Sequence, residues 1–494
     1  MTVEHVEIRP GAYADSVALL QVSRDVAATP GVAAAQVAMA TELNVEVLQG
    51  MGFTLPAASS NDMVVALRLD DEAALPAALA AVDAALAAAR KGSSGGEVTE
   101  PPRTTASALR RAAGDLALVS VPGASALVEA MDALDAGVDV MVFSDNVPVE
   151  QELAMKRIAR DRGLLVMGPD CGTAVVGGVG LGFANTVSPG SVGVVAASGT
   201  GCQQILALLD AAGVGVAAAL GVGGRDLSAA IGGISTLTAL DRLDADPAVE
   251  HIVVVSKPPA AEVAAAVEKY AADLSTPVRF ALLGAGQPDL TTQVEALLGD
   301  LGVAVPQWPT WGTPAVRSAS GGAALRGLFV GGTLCDEAML LAAEELGPIR
   351  SNIPLSPELA LGTSLLDPGH LMIDFGDDGL TRGRAHPMID PTLRLEHLAK
   401  VAADPETAVI LMDVVLGHGA EDDPAAGLAP AIAAARATRD VPVVVACVGT
   451  STDPQGLTRQ AEALAAAGAE VHLSNAAATR RAVALTTPAT GGAR

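Results

Sequence analysis

Seven polar loops, each directly after an apolar segment, hold most of the residues in this chain that could do chemistry. A helix that starts on such a loop offers free backbone N–H groups and a partial positive charge, and glycine lets a ligand approach the backbone closely. The pattern therefore predicts an anion site where the loops meet. The loops are GPDCGT (168–173), ASGTG (197–201), GVGGRD (221–226), SKPP (256–259), GGT (331–333), DFGDDGLTRGRAHPMIDP (374–391) and GHGAEDDP (417–424).

Residues at these helix starts, and polar residues beside them, are candidates for binding a phosphate or an acidic substrate. Hydroxyl groups, backbone amides and a few basic side chains can all donate to an anion. A turn between strand and helix also favours glycine and an N-cap Ser or Thr without any ligand, so one such loop alone proves little. The candidates are Ser198, Gly199, Thr200, Gly201, Gly224, Gly332, Thr333, Asp170, Cys171 and Lys257.

Three further residues are candidates for catalysis: Arg225, Arg384 and His386. Arginine binds phosphate or carboxylate in a bidentate manner, and a histidine near carboxylates can act as an acid, a base or a transient phosphate carrier. The alternatives are surface ion pairs for the two arginines and a rigid turn at the His-Pro step. Asp377 and Asp378 could hold a divalent cation, but no second acidic motif supports a metal site.

The chain is acidic: 56 Asp and Glu residues against 30 Lys and Arg give a formal net charge of −26 over 494 residues. This charge disfavours nucleic acid and anionic membrane surfaces as partners. The start lacks the basic and apolar regions of a signal peptide, and no apolar stretch reaches the ~20 residues of a membrane span. We therefore expect a cytoplasmic protein. The four cysteines lack metal-ligand spacing, which favours buried free thiols.

The alternation of strands and helices predicts an α/β protein of several domains. Continuous apolar strands with helical crossovers indicate parallel sheets covered on both faces. The predicted regions are a small ferredoxin-like α+β domain at 1–90, a Gly/Ser/Pro-rich linker at 91–107, a Rossmann-like domain at 108–190, and two further units of strands and helices at 191–320 and 325–494.

The last two units open alike, because a strand, a Gly-Thr step and a helix start follow one another at 194–205 and again at 328–340. Several familiar motifs are missing from the chain: the Walker loop, the GxSxG elbow, HExxH and a clean GxGxxG after the first Rossmann strand. Their absence disfavours routine NAD, P-loop ATP and hydrolase functions. Ser-Thr-Arg-Thr, the carbamoyl phosphate signature of aspartate and ornithine carbamoyltransferases, is also missing.

From Leu116 to Pro259 the chain resembles the α subunit of succinyl-CoA synthetase, and nearly its whole length resembles the FdrA family of acyl-CoA synthetase-like proteins. This resemblance implies a Rossmann-like CoA-binding-type domain followed by two flavodoxin-like domains of the synthetase type, the first α-subunit-like and the second β-subunit-like. The segments that carry it include VMVFSDNV (140–147), LLVMGPDCGT (164–173), GGRDLS (223–228), VSKPP (255–259) and GRAHPMIDPTLR (383–394).

In the synthetase, the SGT helix start and a matching helix of the β subunit hold the phosphate of a phosphohistidine. That histidine lies in a Gly-His-Ala-Gly loop, where this chain has GAGQPDLTTQ (284–293) and no histidine. The CoA-binding turn is reduced to SVPGAS, and no ATP-grasp region is present. These departures disfavour NTP-driven CoA ligation by this chain alone.

The FdrA resemblance implies a subunit of oxamate carbamoyltransferase in allantoin breakdown, which interconverts oxalurate plus phosphate with oxamate plus carbamoyl phosphate. Two helix dipoles and arginines suit such substrates, and direct transfer needs no relay histidine. Partner subunits of the same complex and an oligomeric state are implied. No cofactor is required by this interpretation, and CoA and Mg²⁺ stay open. The alternatives are an acyl-CoA ligase with His386 as phosphate carrier and a non-catalytic regulatory or scaffolding subunit.

Overall fold

The computed structural model describes residues 3–12, 14, 16–91, 102–318, 322–381 and 385–486. The chain divides into a first unit, Met1–Pro101, and a larger unit that holds Pro102–Thr381 and His386–Arg494. Most of the predicted linker lies outside the described residues. Arg384, one of the three candidate catalytic residues, also lies outside them.

The first unit is a three-stranded antiparallel sheet with helices on both faces. Its strands follow the order β1-β3-β2, as expected for the first three strands of a ferredoxin-like domain. Successive residues of the central strand face opposite hydrophobic cores, so this strand is apolar throughout. The elements are β1 (Val3–Arg9), α1 (Ser16–Ala27), β2 (Val32–Met39), α2 (Glu42–Gly50), β3 (Met63–Leu69) and α3 (Leu75–Lys91).

The larger unit opens with a small parallel sheet whose helical crossovers make it Rossmann-like. One of its helices begins at Gly123, where a Cβ atom would lie 2.2 Å from the Asp145 carbonyl oxygen, so only glycine fits. The elements are α4 (Thr105–Arg111), β4 (Leu116–Val119), α5 (Gly123–Asp135), β5 (Asp139–Val142), α6 (Val149–Asp161) and β6 (Val166–Met167).

A six-stranded sheet follows, in the order β12-β11-β9-β10-β7-β8. Its four parallel strands have the flavodoxin-like order. The β7-β8 hairpin pairs with β10, so it belongs to this sheet and not to the Rossmann-like domain predicted to end at residue 190. The elements are β7 (Thr173–Val176), β8 (Val179–Gly182), β9 (Val192–Ala197), α7 (Gly199–Ala211), β10 (Val216–Gly221), α8 (Ile234–Asp244), β11 (His251–Ser256), α9 (Ala261–Ala271), β12 (Val278–Leu282) and α10 (Leu290–Asp300).

The third sheet of the larger unit has seven strands in the order β13-β19-β18-β17-β14-β16-β15. Without the two-residue strand β15, its parallel strands again follow the flavodoxin-like order. Strand β13 joins this sheet although it precedes the predicted start of the domain at residue 325. The elements are β13 (Thr310–Trp311), β14 (Ala324–Phe329), α11 (Gly332–Leu346), β15 (Arg350–Ser351), β16 (Leu371–Asp374), α12 (Asp378–Thr381), α13 (Thr392–Ala403), β17 (Thr407–Val415), α14 (Pro424–Thr438), β18 (Val443–Val448), α15 (Leu457–Ala466), β19 (Glu470–His472) and α16 (Asn475–Thr486).

The six- and seven-stranded sheets share one hydrophobic core. Helices α7 and α10 from one sheet pack against α11 and α16 from the other. Because β9 and β14 are interior parallel strands that lead directly into α7 and α11, those two helices start at the carboxyl edges of the two sheets. This α/β architecture confirms the predicted fold class. No helix among the described residues is long and apolar enough to cross a membrane.

A buried ion cluster joins α6 to the loop after β10. The Lys156 ammonium lies 2.8 Å from Glu152 Oε1 and 2.7 Å from Asp226 Oδ1, and it donates to the Val222 carbonyl oxygen at 2.9 Å. Arg225 adds a second cation by donating to Glu152 Oε2 at 3.0 Å. Two cations thus balance two carboxylates in the interior, where an uncompensated charge would be costly.

Candidate active site

Helix α7 starts where β9 ends, and Ser198 caps it. Strand β9 consists of small and β-branched residues and is buried throughout. Ser198 Oγ accepts a hydrogen bond from the Gly201 amide at 2.9 Å, which satisfies one of the amides that a helix start leaves without an intrahelical partner. Gly199 and Thr200 are partly exposed, whereas Gly201 is buried. Access to this helix start is therefore at its first two residues.

Helix α11 starts just after β14, and a residue of another strand binds the two amides that precede it. The two carboxylate oxygens of Asp413, on β17, accept hydrogen bonds from the Val330 and Gly331 amides at 2.8 and 2.9 Å. Arg394 Nη2, from α13, lies 3.3 Å from Asp413 Oδ1, and both side chains are buried. Because Arg394 compensates the carboxylate charge, the positive end of the α11 dipole is not cancelled.

The two helix starts touch each other. Ser198 Oγ donates a hydrogen bond to Thr333 Oγ1 at 2.6 Å. On the neighbouring turn, a Cβ atom on Gly331 would lie 2.9 Å from Thr200 Oγ1, so glycine is what lets the two backbones come this close. The predicted repeat is thus a pair of facing helix N-termini in space. Their partial positive charges add at one place, which suits a small anion.

Thr173 was not among the candidates from the sequence, although it belongs to the GPDCGT loop. Its side chain is 2 % exposed, and its hydroxyl has no hydrogen-bond partner among the residues that the structure describes. Thr173 Oγ1 lies 3.5 Å from the position that a Cβ atom would take on Gly199, the first residue of α7. A buried hydroxyl without a partner is costly in a folded protein, so this one is a donor available to a ligand at the helix start.

Lys257 brings a positive charge to the start of α11. Its Nζ lies 3.1 Å from the Cβ position of Gly332. Burial by itself would lower the pKa of Lys257, but the nearby carboxylates of Asp336, Asp374 and Asp170 outweigh it and hold this pKa above its usual value. Lys257 is therefore a fixed cation. Within the described part of the chain it forms no ion pair shorter than 4.0 Å, so its charge is available to a ligand.

Asp374, at the end of β16, faces the same glycine. Its Oδ2 lies 2.7 Å from the Cβ position of Gly332, and its Oδ1 accepts a hydrogen bond from the Gly376 amide at 2.9 Å. The residue is 4 % exposed. Burial raises the pKa of Asp374 to about 7, a shift that the Lys257 charge and the Gly376 amide oppose and that Asp413 and Asp336 reinforce. Sequence reasoning named the loop after this residue but not the residue itself.

His386 lies beside Asp374, with Nε2 2.8 Å from the Cβ position of Gly376. Its Nδ1 accepts a hydrogen bond from the Met388 amide at 3.3 Å, which leaves the ring proton on Nε2. Desolvation lowers the pKa of His386 to about 4, so the imidazole is neutral at pH 7. The predicted roles as general acid or as phosphate carrier through Nε2 do not fit this state. A hydrogen-bond donor beside Asp374 does fit it.

The structure places two further candidates, Asp170 and Gly224, near each other and buries a third, Cys171. Asp170 is exposed, and its Oδ2 lies 3.8 Å from the Cβ position of Gly224, so the GPDCGT and GVGGRD loops are neighbours. Cys171 stays a predicted binding residue, although its thiol is buried in the core and donates to the Thr173 carbonyl oxygen. Burial raises the pKa of this thiol far above its usual range.

Arg225 is held by the buried ion cluster and also donates to the Val147 carbonyl oxygen at 2.7 Å. These bonds pair Arg225 with a buried carboxylate and not with the surface acids considered as its alternative, and 42 % of its side chain is exposed. The expectation of buried free thiols is confirmed for Cys171, Cys202, Cys335 and Cys447.

The loop that would carry a relay histidine serves a structural purpose here. Asp289 at its end caps α10 by accepting the Thr292 amide at 3.0 Å, and Arg480 donates to the same carboxylate at 2.6 Å. No group of three or more His, Cys, Asp and Glu side chains that could hold a metal ion occurs in the part of the chain that the structure describes.

Two family models match parts of the chain. Residues 328–485 match the CoA-ligase family, and residues 1–102 match the AllF, heavy metal-associated domain. The larger unit thus has a fold of the CoA-ligase, succinyl-CoA synthetase-like type. The chain is also 38 % identical over 494 residues to the uncharacterized protein YahF of Escherichia coli, covering 94 % of this chain and 95 % of that protein. It belongs to the YahF family.

More distant relatives match parts of the chain. The succinate–CoA ligase [ADP-forming] subunit alpha 2 of Archaeoglobus fulgidus is 32 % identical over 139 residues, which are 27 % of this chain and 48 % of that subunit. The chain thus spans about half of the ligase subunit. Among solved structures, the dinucleotide forming acetyl-coenzyme A synthetase 1 of Ca. Korarchaeum cryptofilum is 17 % identical, with a TM-score of 0.29 over 75 % of this chain and 84 % of that one.

The name of the N-terminal family raises the question of a heavy metal. Residues 1–102 contain no cysteine and a single histidine, His5. Soft metal ions are bound by thiolate, thioether and imidazole ligands, usually several together. Apart from the thioethers of four methionines, the domain offers such an ion a single imidazole and no thiolate, which is a poor set of ligands.

Proposed function

We propose that this chain is a component of a carbamoyltransferase of the oxamate type, handling carbamoyl phosphate with oxamate or oxalurate in allantoin or purine nitrogen catabolism. In the direction of synthesis, the oxamate amide nitrogen attacks the carbamoyl carbon, and phosphate leaves. The family of the N-terminal domain, AllF, is compatible with this setting. The resemblance of the chain to FdrA proteins suggests the reaction, and the geometry of the larger unit supports it.

The observation that carries the proposal is the contact between the starts of α7 and α11, with Ser198 Oγ 2.6 Å from Thr333 Oγ1. An acyl phosphate carries its charge on one small group, which the two helix dipoles, the first amides of both helices and Lys257 can surround. The donors are Gly199, Thr200, Gly332, Thr333, Lys257 and the unpartnered hydroxyl of Thr173.

The absence of a histidine from residues 284–293 supports direct transfer. A ligase of the synthetase type needs a phosphorylated side chain to carry phosphate to this place, and direct transfer between two bound substrates does not. Holding both substrates in contact is itself a large part of catalysis, because it removes the entropic cost of bringing them together. The proposed reaction thus needs no relay histidine, which residues 284–293 of this chain lack. Partner subunits of the same complex complete the proposal.

The second candidate is an acyl-CoA ligase component, which the match of residues 328–485 to the CoA-ligase family favours. It would require a phosphate carrier other than the missing histidine, and His386, beside Asp374, is the histidine considered for that role. Its neutral ring with the proton on Nε2 argues against this role. Incubation with γ-labelled ATP separates the two functions: acid-labile label on His386 supports the ligase, and no label supports direct transfer.

The decisive assay supplies carbamoyl phosphate and oxamate to the purified chain together with its partner proteins and measures oxalurate. We expect oxalurate to form and Thr200→Val to lower its rate about 10- to 100-fold, because one hydrogen bond to a charged group is lost. The matched control is Thr292→Val, which makes the same change in the first turn of α10, where Thr292 bonds Asp289 instead. No oxalurate from the wild-type mixture refutes the proposal.

A further inference from the structure

Asp374 has one anchored oxygen and one open oxygen. Oδ1 accepts the Gly376 amide, which fixes the plane of the carboxylate. Oδ2 makes no hydrogen bond within the described part of the chain and points towards Gly332, 2.7 Å from its Cβ position. Gly332 is partly exposed, whereas Asp374 is buried. An oriented carboxylate oxygen without a partner therefore faces the first residue of α11.

Lys257 approaches Gly332 as well, and the two side chains leave a gap between them. The ammonium lies 3.1 Å from the Cβ position of Gly332, yet no ion pair within 4.0 Å joins it to Asp374 in the described residues. A cation and a carboxylate that share a glycine without touching can contact two different parts of one ligand. The missing side chain of Gly332 is what keeps this gap open.

We propose that Asp374 is the general base of the site and that Oδ2 accepts the proton lost by the nucleophilic nitrogen. This inference rests on the proposed carbamoyl transfer. An amide nitrogen is a weak nucleophile, so its proton must leave as the bond forms. The proton passes to Asp374, the new C–N bond forms at the carbamoyl carbon, and the C–O bond to phosphate breaks with its electron pair leaving on phosphate. Lys257 stabilises the charge that develops on the leaving group.

The surroundings of Asp374 suit this role. The groups facing it are the Lys257 ammonium, the neutral His386 ring, and the carboxyls of Asp336 and Asp413, the last being compensated by Arg394. A base works best when its pKa lies near the working pH, and the pKa of Asp374 at about 7 meets that condition. Sequence reasoning sought the acid–base group in His386, twelve residues further along the chain.

The test compares Asp374→Asn with Glu337→Gln in the full chain with its partner proteins. Both carboxyls are buried, and burial raises the pKa of each to about 7. Glu337 instead accepts the Leu290 amide and the Asn475 side chain, both at 2.7 Å, away from Lys257. We expect Asp374→Asn to lower kcat about 10²- to 10⁴-fold and to abolish the acidic limb of the pH profile. Glu337→Gln should keep the wild-type kcat and the acidic limb of the pH profile. Equal profiles in wild type and Asp374→Asn overturn the inference.

A second readout does not depend on activity. Sulfate keeps two negative charges between pH 6 and 8, so any change in its affinity over that range reports on the protein. We expect sulfate to bind the wild type more weakly at pH 8, when Asp374 is ionised, and Asp374→Asn to remove most of that loss. An unchanged pH dependence in the variant overturns the inference even if no oxalurate forms. If oxalurate does not form but the variant flattens the sulfate curve, the carbamoyl function fails and Asp374 stands as the ionisable group facing the ligand.

Discussion

Arg394 and Asp413 form a buried ion pair whose carboxylate accepts hydrogen bonds from the Val330 and Gly331 amides, directly before α11. Arg394 also donates to the Asp413 carbonyl oxygen, so the guanidinium braces both the side chain and the backbone of this residue. The end of β14 is far in sequence from α13 and β17, which follow one another along the chain. The position of the helix start therefore depends on the folding of the whole seven-stranded sheet.

Removing only the cation from this pair should be more harmful than removing both charges. Arg394→Met leaves the Asp413 carboxylate buried and uncompensated, which we expect to destabilise the protein by about 3–5 kcal/mol. The double variant Arg394→Met, Asp413→Asn should recover a large part of that loss. Urea unfolding of both variants measures it. A single variant at least as stable as the double one contradicts the interpretation.

Thr173→Val should separate stability from binding. The hydroxyl is buried and has no partner in the described part of the chain, so its removal should leave the free energy of unfolding unchanged or raise it by about 1 kcal/mol. Sulfate or phosphate affinity should nevertheless fall, because the hydroxyl is a donor beside Gly199. Calorimetric titration and thermal unfolding of the same preparation check both statements. Unaltered anion affinity would exclude Thr173 from the site.

Gly332→Ala should close the gap between Lys257 and Asp374. The added Cβ would lie 2.7 Å from Asp374 Oδ2 and 3.1 Å from Lys257 Nζ, so we expect anion affinity to fall at least about 10-fold. The matched control is Gly299→Ala in α10, where nothing lies within 4 Å of the new atom. That change should keep the affinity and stabilise the helix by up to about 1 kcal/mol. Equal anion affinities in the two variants would place the ligand elsewhere.

Glu337 should make the stability of the fold depend on pH. Its pKa is raised to about 7 in the folded protein by burial, against which the Asn475 and Leu290 bonds act, so folding favours the protonated carboxyl. The resulting stabilisation is complete below the pKa of the unfolded chain, near 4.5, and is lost as the pH rises through about 7. Glu337→Gln should therefore reduce the difference in unfolding free energy between pH 5 and pH 8. A difference as large as in the wild type would assign the effect to other groups.

Much of the fold could be predicted from the sequence, because buried parallel strands read as continuous apolar runs and their loops as Gly, Pro and Ser. The facing helix starts were also within reach, since Ser198 and Thr333 lie in two copies of one local pattern. The pairing of strands that are distant in sequence could not be predicted. The β7-β8 hairpin and β13 pair with sheets outside the predicted domain bounds that contain them. The residue pattern of an edge strand does not determine which strand it pairs with.

The chemistry of the site was harder to predict than its backbone. Asp374 and Lys257 matter through their distances to Gly332, and no local motif encodes contacts between separate strand ends. His386 stood out as the only histidine in a dense polar loop, yet desolvation keeps it neutral. Cys171 also stood out, as the cysteine of the GPDCGT loop, and its thiol is buried in the core. Residue type suggests a role, but burial and partners decide whether the residue can perform it.

Both facing helix starts belong to one polypeptide, joined by the segment between α7 and α11. In a protein whose two halves sit on separate subunits, dilution separates the halves and the anion site disappears. Here the two dipoles are brought together by an intramolecular step, so their pairing does not depend on the protein concentration. The assembly of Ser198 with Thr333 is a first-order event, as complete in one isolated molecule as in a concentrated solution.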